Sequence, residues 1–241
     1  MRLSEYLLEK KLLDTKSQIE YFVKSGKVNV NGKPAMKPSM MLYKNDKVEI
    51  IPEIIYSSKG GYKLEAFLKK ISFSVKDKII LDVGCSTGGF THYFLTHDAR
   101  KVTAIDIAKE ILSDKVKSLR PDDLKYWDGF DALDKDNLQK LSEHKFDVIS
   151  IDVSDRSIKD VLLAVKDLLK KKGSIIALFK PHYEGKKGIV SKEDKKDIAK
   201  KFEEWLLKET PYKEIHKINS SERGGSNLKG NREIFYLLKF R

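Results

Sequence analysis

Apolar and polar positions follow one rhythm over the first fifty residues and another from about residue 72. At the start, Tyr6, Leu7 and Leu8 lead on to Leu12 and Leu13, which predicts a short helix capped by Ser4. Thr15 and Gln18 have the spacing of a capping box, ahead of a second helix that buries Ile19, Phe22 and Val23. Gly26 suits its left-handed stop. Val28-Asn29-Val30 alternates into Asn31-Gly32, the strongest short hairpin signal, and Val48 to Ile51 reads as a closing strand before Pro52.

The second rhythm is strand, helix, strand, helix. Lys78 to Val83, Lys101 to Ile107, Phe146 to Val153 and Ser174 to Lys180 read as strands, with another before Trp127. Helices are predicted after the first glycine turn through Phe94, from Ile158 to Lys172 with Gly173 as stop, and from Ser191 to Lys208. Tyr212 to Ile218 and Glu233 to Phe240 close the chain as strands. This alternation predicts an α/β fold, a mostly parallel sheet with ligands at the carboxyl ends of its strands. A 241-residue chain accommodates one full domain and one small one, divided here into 1–52, a linker 53–58, and 59–241.

Composition narrows the partners. Lysine and arginine (48) exceed aspartate and glutamate (36), a net charge of +12 that favours polyanions, nucleic acid first. Residues 1–50 hold 10 basic and 6 acidic groups, so the excess is spread over the whole chain, as it also would be in a protein whose surfaces are all slightly basic. Apolar runs such as Ile175 to Phe179 are too short for a bilayer, and Met1 to Tyr6 has no apolar secretion core. A soluble, cytoplasmic protein without stable membrane insertion is expected. The single Cys85 excludes an internal disulfide, and no Cys/His spacing predicts a metal site.

The string Leu81-Asp82-Val83-Gly84-Cys85-Ser86-Thr87-Gly88-Gly89-Phe90-Thr91 runs from an apolar strand through small residues into a helix. Gly84 lets the backbone approach a ligand, and Gly88-Gly89 let the helix start close beneath it. The string is neither a Walker loop nor the dinucleotide glycine pattern. Asp106 ends the second strand just before Ile107, where a carboxylate can accept both hydroxyls of an adenosine ribose. Asp128, after the third strand, reads either as an acceptor for the adenine amino group or as a solvated turn aspartate.

Four charges at element ends complete the candidate chemistry. Asp152 and Lys180 end apolar strands, Glu233 begins the last one, and Lys63 opens a helix containing Leu64, Phe67 and Leu68. Reaction at a weakly acidic hydroxyl needs positioning and a base, and a lysine takes a proton only when it is itself neutral. Singly, each of these four also reads as a strand-end charge or a solvated helix residue.

Asp82-x-Gly84 with Asp106 resembles the motifs of S-adenosylmethionine-dependent methyltransferases. The order Lys63, Asp152, Lys180, Glu233 resembles the Lys-Asp-Lys-Glu tetrad of FtsJ-like ribose 2′-O-methyltransferases. End to end, the chain is similar to the haemolysin-A (TlyA-type) family, in which an S4-type RNA-binding module precedes that domain. The matching strings include Val28-Asn29-Val30-Asn31-Gly32-Lys33, Ser58 to Leu64, Asp82 to Thr91, Ile151 to Ser154, Lys180-Pro181 and Gly230-Asn231-Arg232-Glu233.

The resemblance implies a Rossmann-like methyltransferase domain with an antiparallel last strand, preceded by a small α+β module. It implies S-adenosylmethionine as cofactor, held by Asp82, Gly84, Cys85, Ser86, Gly88, Gly89, Phe90, Asp106, Ile107 and Asp128. It makes Lys180 the base, Asp152 its holder, and Lys63 with Glu233 the balancing pair. Its implied partner is ribosomal RNA or a ribosomal subunit, met by Arg2, Lys16, Lys24, Lys27, Lys33 and Lys37. The chain departs from the family pattern at His92, read here as a surface helix residue, at Ala108-Lys109-Glu110 and at Asp155-Arg156. Ser220 to Asn227 is read as a mobile loop over the active edge, or as a plain connector. A non-catalytic RNA-binding or ribosome-assembly factor is the alternative, and a membrane-damaging haemolysin ranks last.

Overall fold

Two rhythms give two modules. The computed structural model describes residues 1–51, 55–154, 156–184, 191–223 and 232–241. In the first module, α1 (Leu3–Glu9) and α2 (Lys16–Lys24) precede a three-stranded sheet of β1 (Val28–Val30), β2 (Lys33–Pro34) and β3 (Val48–Ile50), in the order β2-β1-β3. The capping box forms as the spacing dictates: Gln18 N–H donates to Thr15 Oγ1 at 3.2 Å, and Thr15 N–H donates to Gln18 Oε1 at 2.9 Å.

The first helix differs from expectation at both ends. Its cap is Arg2 rather than Ser4, because the Glu5 carboxylate reaches back to the Arg2 N–H at 2.8 Å. It stops at Glu9 because Lys11 turns left-handed (φ 52) and the N–H groups of Leu12 and Leu13 fold back onto Leu7 O. Leu13 is thereby still buried.

The second module holds α3 (Lys59–Lys70), β4 (Ile79–Val83), α4 (Gly89–Thr96), β5 (Lys101–Ile105), α5 (Asp114–Lys117), β6 (Leu124–Trp127) and α6 (Lys135–Gln139). They are followed by β7 (Phe146–Ile151), α7 (Ile158–Ala164), β8 (Leu169–Phe179), α8 (Pro181–Glu184), α9 (Lys192–Glu209), β9 (Tyr212–Arg223) and β10 (Arg232–Phe240). The seven strands are ordered β6-β5-β4-β7-β8-β10-β9, all parallel except β10, which runs antiparallel to β8 and β9.

Each buried strand alternates between two cores. Ile176, Leu178 and Phe235 face one core with α3 and α4, whereas Ile175, Ala177, Phe179 and Ile234 face the other with α7 and α9. This period-two division is what a sheet covered on both faces requires.

Three expectations change here. The helix after Ile158 ends at Ala164; a 3-10 turn over Lys166–Leu168 follows, and Gly173 lies inside β8. An apolar stripe of helical period is thus shared between helix and strand, because Leu168 and Leu169 are buried in either state. The helix of Lys63 begins four residues earlier, at Lys59, with Ser58 Oγ accepting the Gly60 N–H. Ser220 to Arg223 belong to β9, and the rest of that predicted loop, with Gly230-Asn231, lies outside the described residues, as do Asp155 and residues 52–54.

The modules meet through an aromatic seam. Tyr21 of α2 stacks on Tyr62 of α3 at 3.9 Å, and Tyr56 is fully buried against Tyr62, His92 and Tyr93. Gln18 Nε2 donates to Tyr56 O at 2.5 Å. His92 is therefore an interior residue, not a surface one: its Nδ1 accepts the Ser57 N–H at 3.1 Å, and burial, with Lys115 second, pushes its pKa down to about 4. Gly61 makes the seam possible, since a Cβ there would run into the Tyr56 ring and approach Gly89 O at 2.9 Å.

Candidate active site

Strand parity and register bring the four charges together. On β7, β8 and β10 the residues next to Ile151, Phe179 and Ile234 are Asp152, Lys180 and Glu233, all with the parity that faces α3. Continuing the pairing past Ile234–Phe179 sets Glu233 opposite Lys180. From α3, Lys63 reaches down to this edge.

Two ion pairs result. Lys63 Nζ lies 2.5 Å from Glu233 Oε2, and Lys180 Nζ lies 2.6 Å from Asp152 Oδ1. Neither lysine faces bulk solvent: the side chains of Lys63 and Lys180 are 7 % and 10 % exposed. Lys180 also donates to Ser154 Oγ at 2.9 Å. Burial disfavours its charge, but the carboxylates of Asp152 and Glu233 outweigh burial and hold its pKa above the ordinary lysine value. Lys180 thus rests as an ammonium.

Beside this cluster a cleft of about 270 Å³ opens at the carboxyl ends of β4, β5 and β7. Gly84, Ser86, Asp106 and Ile107 of the candidate cofactor residues line it, together with Asp152. Gly84 adopts φ 79, and a Cβ there would meet Asp152 O at 2.6 Å, so only glycine lets β4 exit this close to β7. Asp106 is fixed from two sides, accepting the Ser86 N–H at 2.8 Å and the Ala108 N–H at 2.9 Å.

The other predicted cofactor residues lie elsewhere. Asp82 is fully buried and accepts from Thr91 Oγ1 at 2.6 Å and Ser150 Oγ at 2.7 Å; burial pushes its pKa up to about 6. It braces the turn from beneath. Cys85, Gly89 and Phe90 are buried, and Gly88 turns left-handed (φ 91) against Leu112 and Val116. The Asp128 carboxylate accepts the Glu110 N–H at 3.1 Å and stands outside the cleft.

Sequence reasoning passed over the far wall. Ile111, Phe130, Asp131, Ala132 and Val161 line it, and Arg156 pairs with Asp131 at 2.9 Å across it. Phe130 and Asp131 follow the Gly129 turn, two and three residues beyond Asp128. Glu184 was also missed: it accepts from Ser157 Oγ at 2.8 Å and from the Ile158 N–H at 2.6 Å. The segment after Lys180 is thereby tied to the start of α7.

Comparison with known proteins places this arrangement. A model of the FtsJ-like methyltransferase matches residues 56–239, and one of the S4 domain matches residues 1–48. The chain belongs to the FtsJ-like methyltransferase family. Among relatives of this methyltransferase, Hemolysin A of Brachyspira hyodysenteriae is 34% identical over 193 residues, covering 80% of this chain and 79% of that protein. The 23S rRNA (cytidine-2′-O)-methyltransferase TlyA of Campylobacter jejuni is 33% identical over 247 residues, covering 95% and 88%. A solved structure named as a hemolysin from Streptococcus thermophilus superposes with a TM-score of 0.70 at 25% identity, covering all of this chain and 88% of its own.

In the S4 domain of this FtsJ-like methyltransferase, Arg2, Lys16, Lys24, Lys33 and Lys37 are exposed. Lys27 is half-buried, with its Nζ 5.0 Å over the Tyr21 ring. Among the described residues, no helix is long and apolar enough to cross a membrane.

Proposed function

We propose that this protein transfers a methyl group from S-adenosylmethionine to a ribose 2′-hydroxyl of ribosomal RNA. The observation that carries the reading is the meeting of Lys63, Asp152, Lys180 and Glu233 at one sheet edge, beside the Asp106 cleft. The relatives' named activities support the RNA substrate.

The cleft residues fit the cofactor by their chemistry. Asp106, oriented by two backbone N–H groups, keeps free lone pairs for a ribose diol. Ile107, Ile111, Phe130 and Ala132 offer apolar walls for a flat base, with the Asp131 carboxylate beside them. When bound, the cofactor supplies an electrophilic methyl on a sulfonium. Lys180 would first give up its own proton to water and then, as the neutral amine, would take the proton of the ribose hydroxyl as that oxygen accepts the methyl. Asp152 and Ser154 hold two of the Lys180 N–H positions, which leaves the third direction for the substrate oxygen. Lys63 and Glu233 keep the cluster neutral in pairs. Exposed Arg2, Lys16, Lys24, Lys33 and Lys37, with Lys27, would grip phosphates without reading sequence.

The test is transfer of labelled methyl from S-adenosylmethionine to isolated ribosomal subunits by the wild type and Lys180→Ala. Loss in the variant with unchanged RNA affinity is expected. Equal transfer by both removes Lys180 as base, and a folded wild type that binds no S-adenosylmethionine discards the enzyme reading.

A further inference from the structure

The small module exposes a methionine and a tyrosine, Met41 and Tyr43, that phosphate contacts do not explain. Arg2 and Met41 form an isolated antiparallel pair, bracketed by Leu3 N–H to Met40 O at 2.8 Å and Leu42 N–H to Met1 O at 2.9 Å. This is the non-hydrogen-bonded type of pairing, in which opposed side chains stand on the same face and close together. Burial then alternates: Met41 is 56% exposed, Leu42 8% and Tyr43 80%. Arg2, Met41 and Tyr43 therefore share one outward face, anchored from behind by Leu42.

The backbone beneath this face is fixed. Asp46 accepts the Tyr43 N–H at 2.8 Å with one oxygen and Asn31 Nδ2 at 2.8 Å with the other. Asn31 Oδ1 accepts the Lys47 N–H at 2.9 Å, and Asn31 N–H donates to Lys47 O at 2.8 Å, so the 43–46 turn and the Asn31-Gly32 turn are clamped together. The carboxylate of Asp46 is consumed inside the clamp, whereas Lys33, Lys44 and Lys47 on the same two turns are exposed.

A large aromatic ring left in water costs free energy unless something covers it. Here the surroundings are cationic and the backbone is already ordered. An unpaired nucleobase meets both conditions, because its flat face stacks on a tyrosine and its flanking phosphates pair with lysines. A thioether beside the ring adds an adaptable contact. A duplex hides its base faces and would gain only the phosphate contacts.

Resting on the RNA reading above, we infer that Tyr43, with Met41 and Arg2 beside it, is a stacking platform for an unpaired base of the RNA substrate, flanked by Lys33, Lys44 and Lys47. It adds recognition of an exposed base to a module otherwise limited to phosphates.

The full-length protein is titrated by anisotropy with a fluorescein-labelled single-stranded RNA of mixed sequence and with a blunt RNA duplex, over a range of KCl. Tyr43→Ala should weaken single-strand binding about tenfold, the loss of one base–aromatic stack, and change duplex binding less than about twofold. The slope of log affinity against log salt should not move, because no phosphate contact is lost; Lys44→Ala should lower it by about one. Tyr43→Trp should keep the affinity and show quenched indole emission on binding single strands. Single-strand binding by Tyr43→Ala equal to wild type, or an equal loss on both RNAs, overturns the platform. Wild type that binds neither RNA at low salt overturns the RNA reading itself, a distinct outcome.

Discussion

Lys63 and Glu233 lie 170 residues apart in the chain, yet their charged atoms stand 2.5 Å apart in the interior. Removing one member strands the other. Lys63→Met should therefore cost about 3–5 kcal/mol in unfolding free energy. The double variant Lys63→Met/Glu233→Leu should recover most of that stability in urea titrations but not methyl transfer. Recovered transfer would show that the pair is structural only.

Ser154 Oγ accepts a hydrogen bond from Lys180 at 2.9 Å, in addition to the ion pair with Asp152. Ser154→Ala should lower the single-turnover rate about tenfold, the worth of one hydrogen bond to a charged group, with RNA affinity unchanged. Ser154→Thr should restore it.

Lys180 rests protonated, because the Asp152 and Glu233 carboxylates hold its pKa above the ordinary lysine value. The single-turnover rate should rise about tenfold per pH unit from 7 towards 10. A plateau near pH 8 would mean that another group takes the proton.

Asp82 and His92 set opposite acid responses. The native state holds the Asp82 proton more tightly than the unfolded state, so this group's contribution is fully present below pH 3.8 and lost as pH rises through about 6. The excess stability of wild type over Asp82→Asn should fall by up to about 3 kcal/mol across that window. His92 behaves in reverse: its contribution is present above pH 6.5 and lost as pH falls towards 4. His92→Leu should abolish that loss, while costing about 1–3 kcal/mol at neutral pH through the unpaired Ser57 N–H. Urea midpoints against pH check both.

Gly61→Ala tests the seam. Its Cβ has no room beside the Tyr56 ring and Gly89 O, and a loss of about 1–3 kcal/mol is expected. Heat-capacity scans that separate two transitions in the variant, and one in wild type, would show the modules parting.

The alternation of Ile175 to Phe179, the Thr15–Gln18 box and the Asn31-Gly32 turn were legible because each obeys a local periodicity or hydrogen bond. So was the edge where Asp152, Lys180 and Glu233 end or begin apolar strands. What escaped depends on contacts between distant segments. His92 looks solvated until Ser57 and Tyr56 fold over it. Asp82 has the right spacing for a ligand, but Thr91 and Ser150 donate to both of its oxygens in the interior. Arg156 and Asp131 meet only because β6 and β7 deliver their loops to the same cleft wall.

The residue that receives the Tyr21 stack is Tyr62, the immediate chain neighbour of Lys63. The basic face of the small module and the four-charge cluster are thus joined through adjacent residues of one helix. In the proposed function such a joint would act as a ruler: the ribose lying one span from the anchoring point would be the one presented to Lys180.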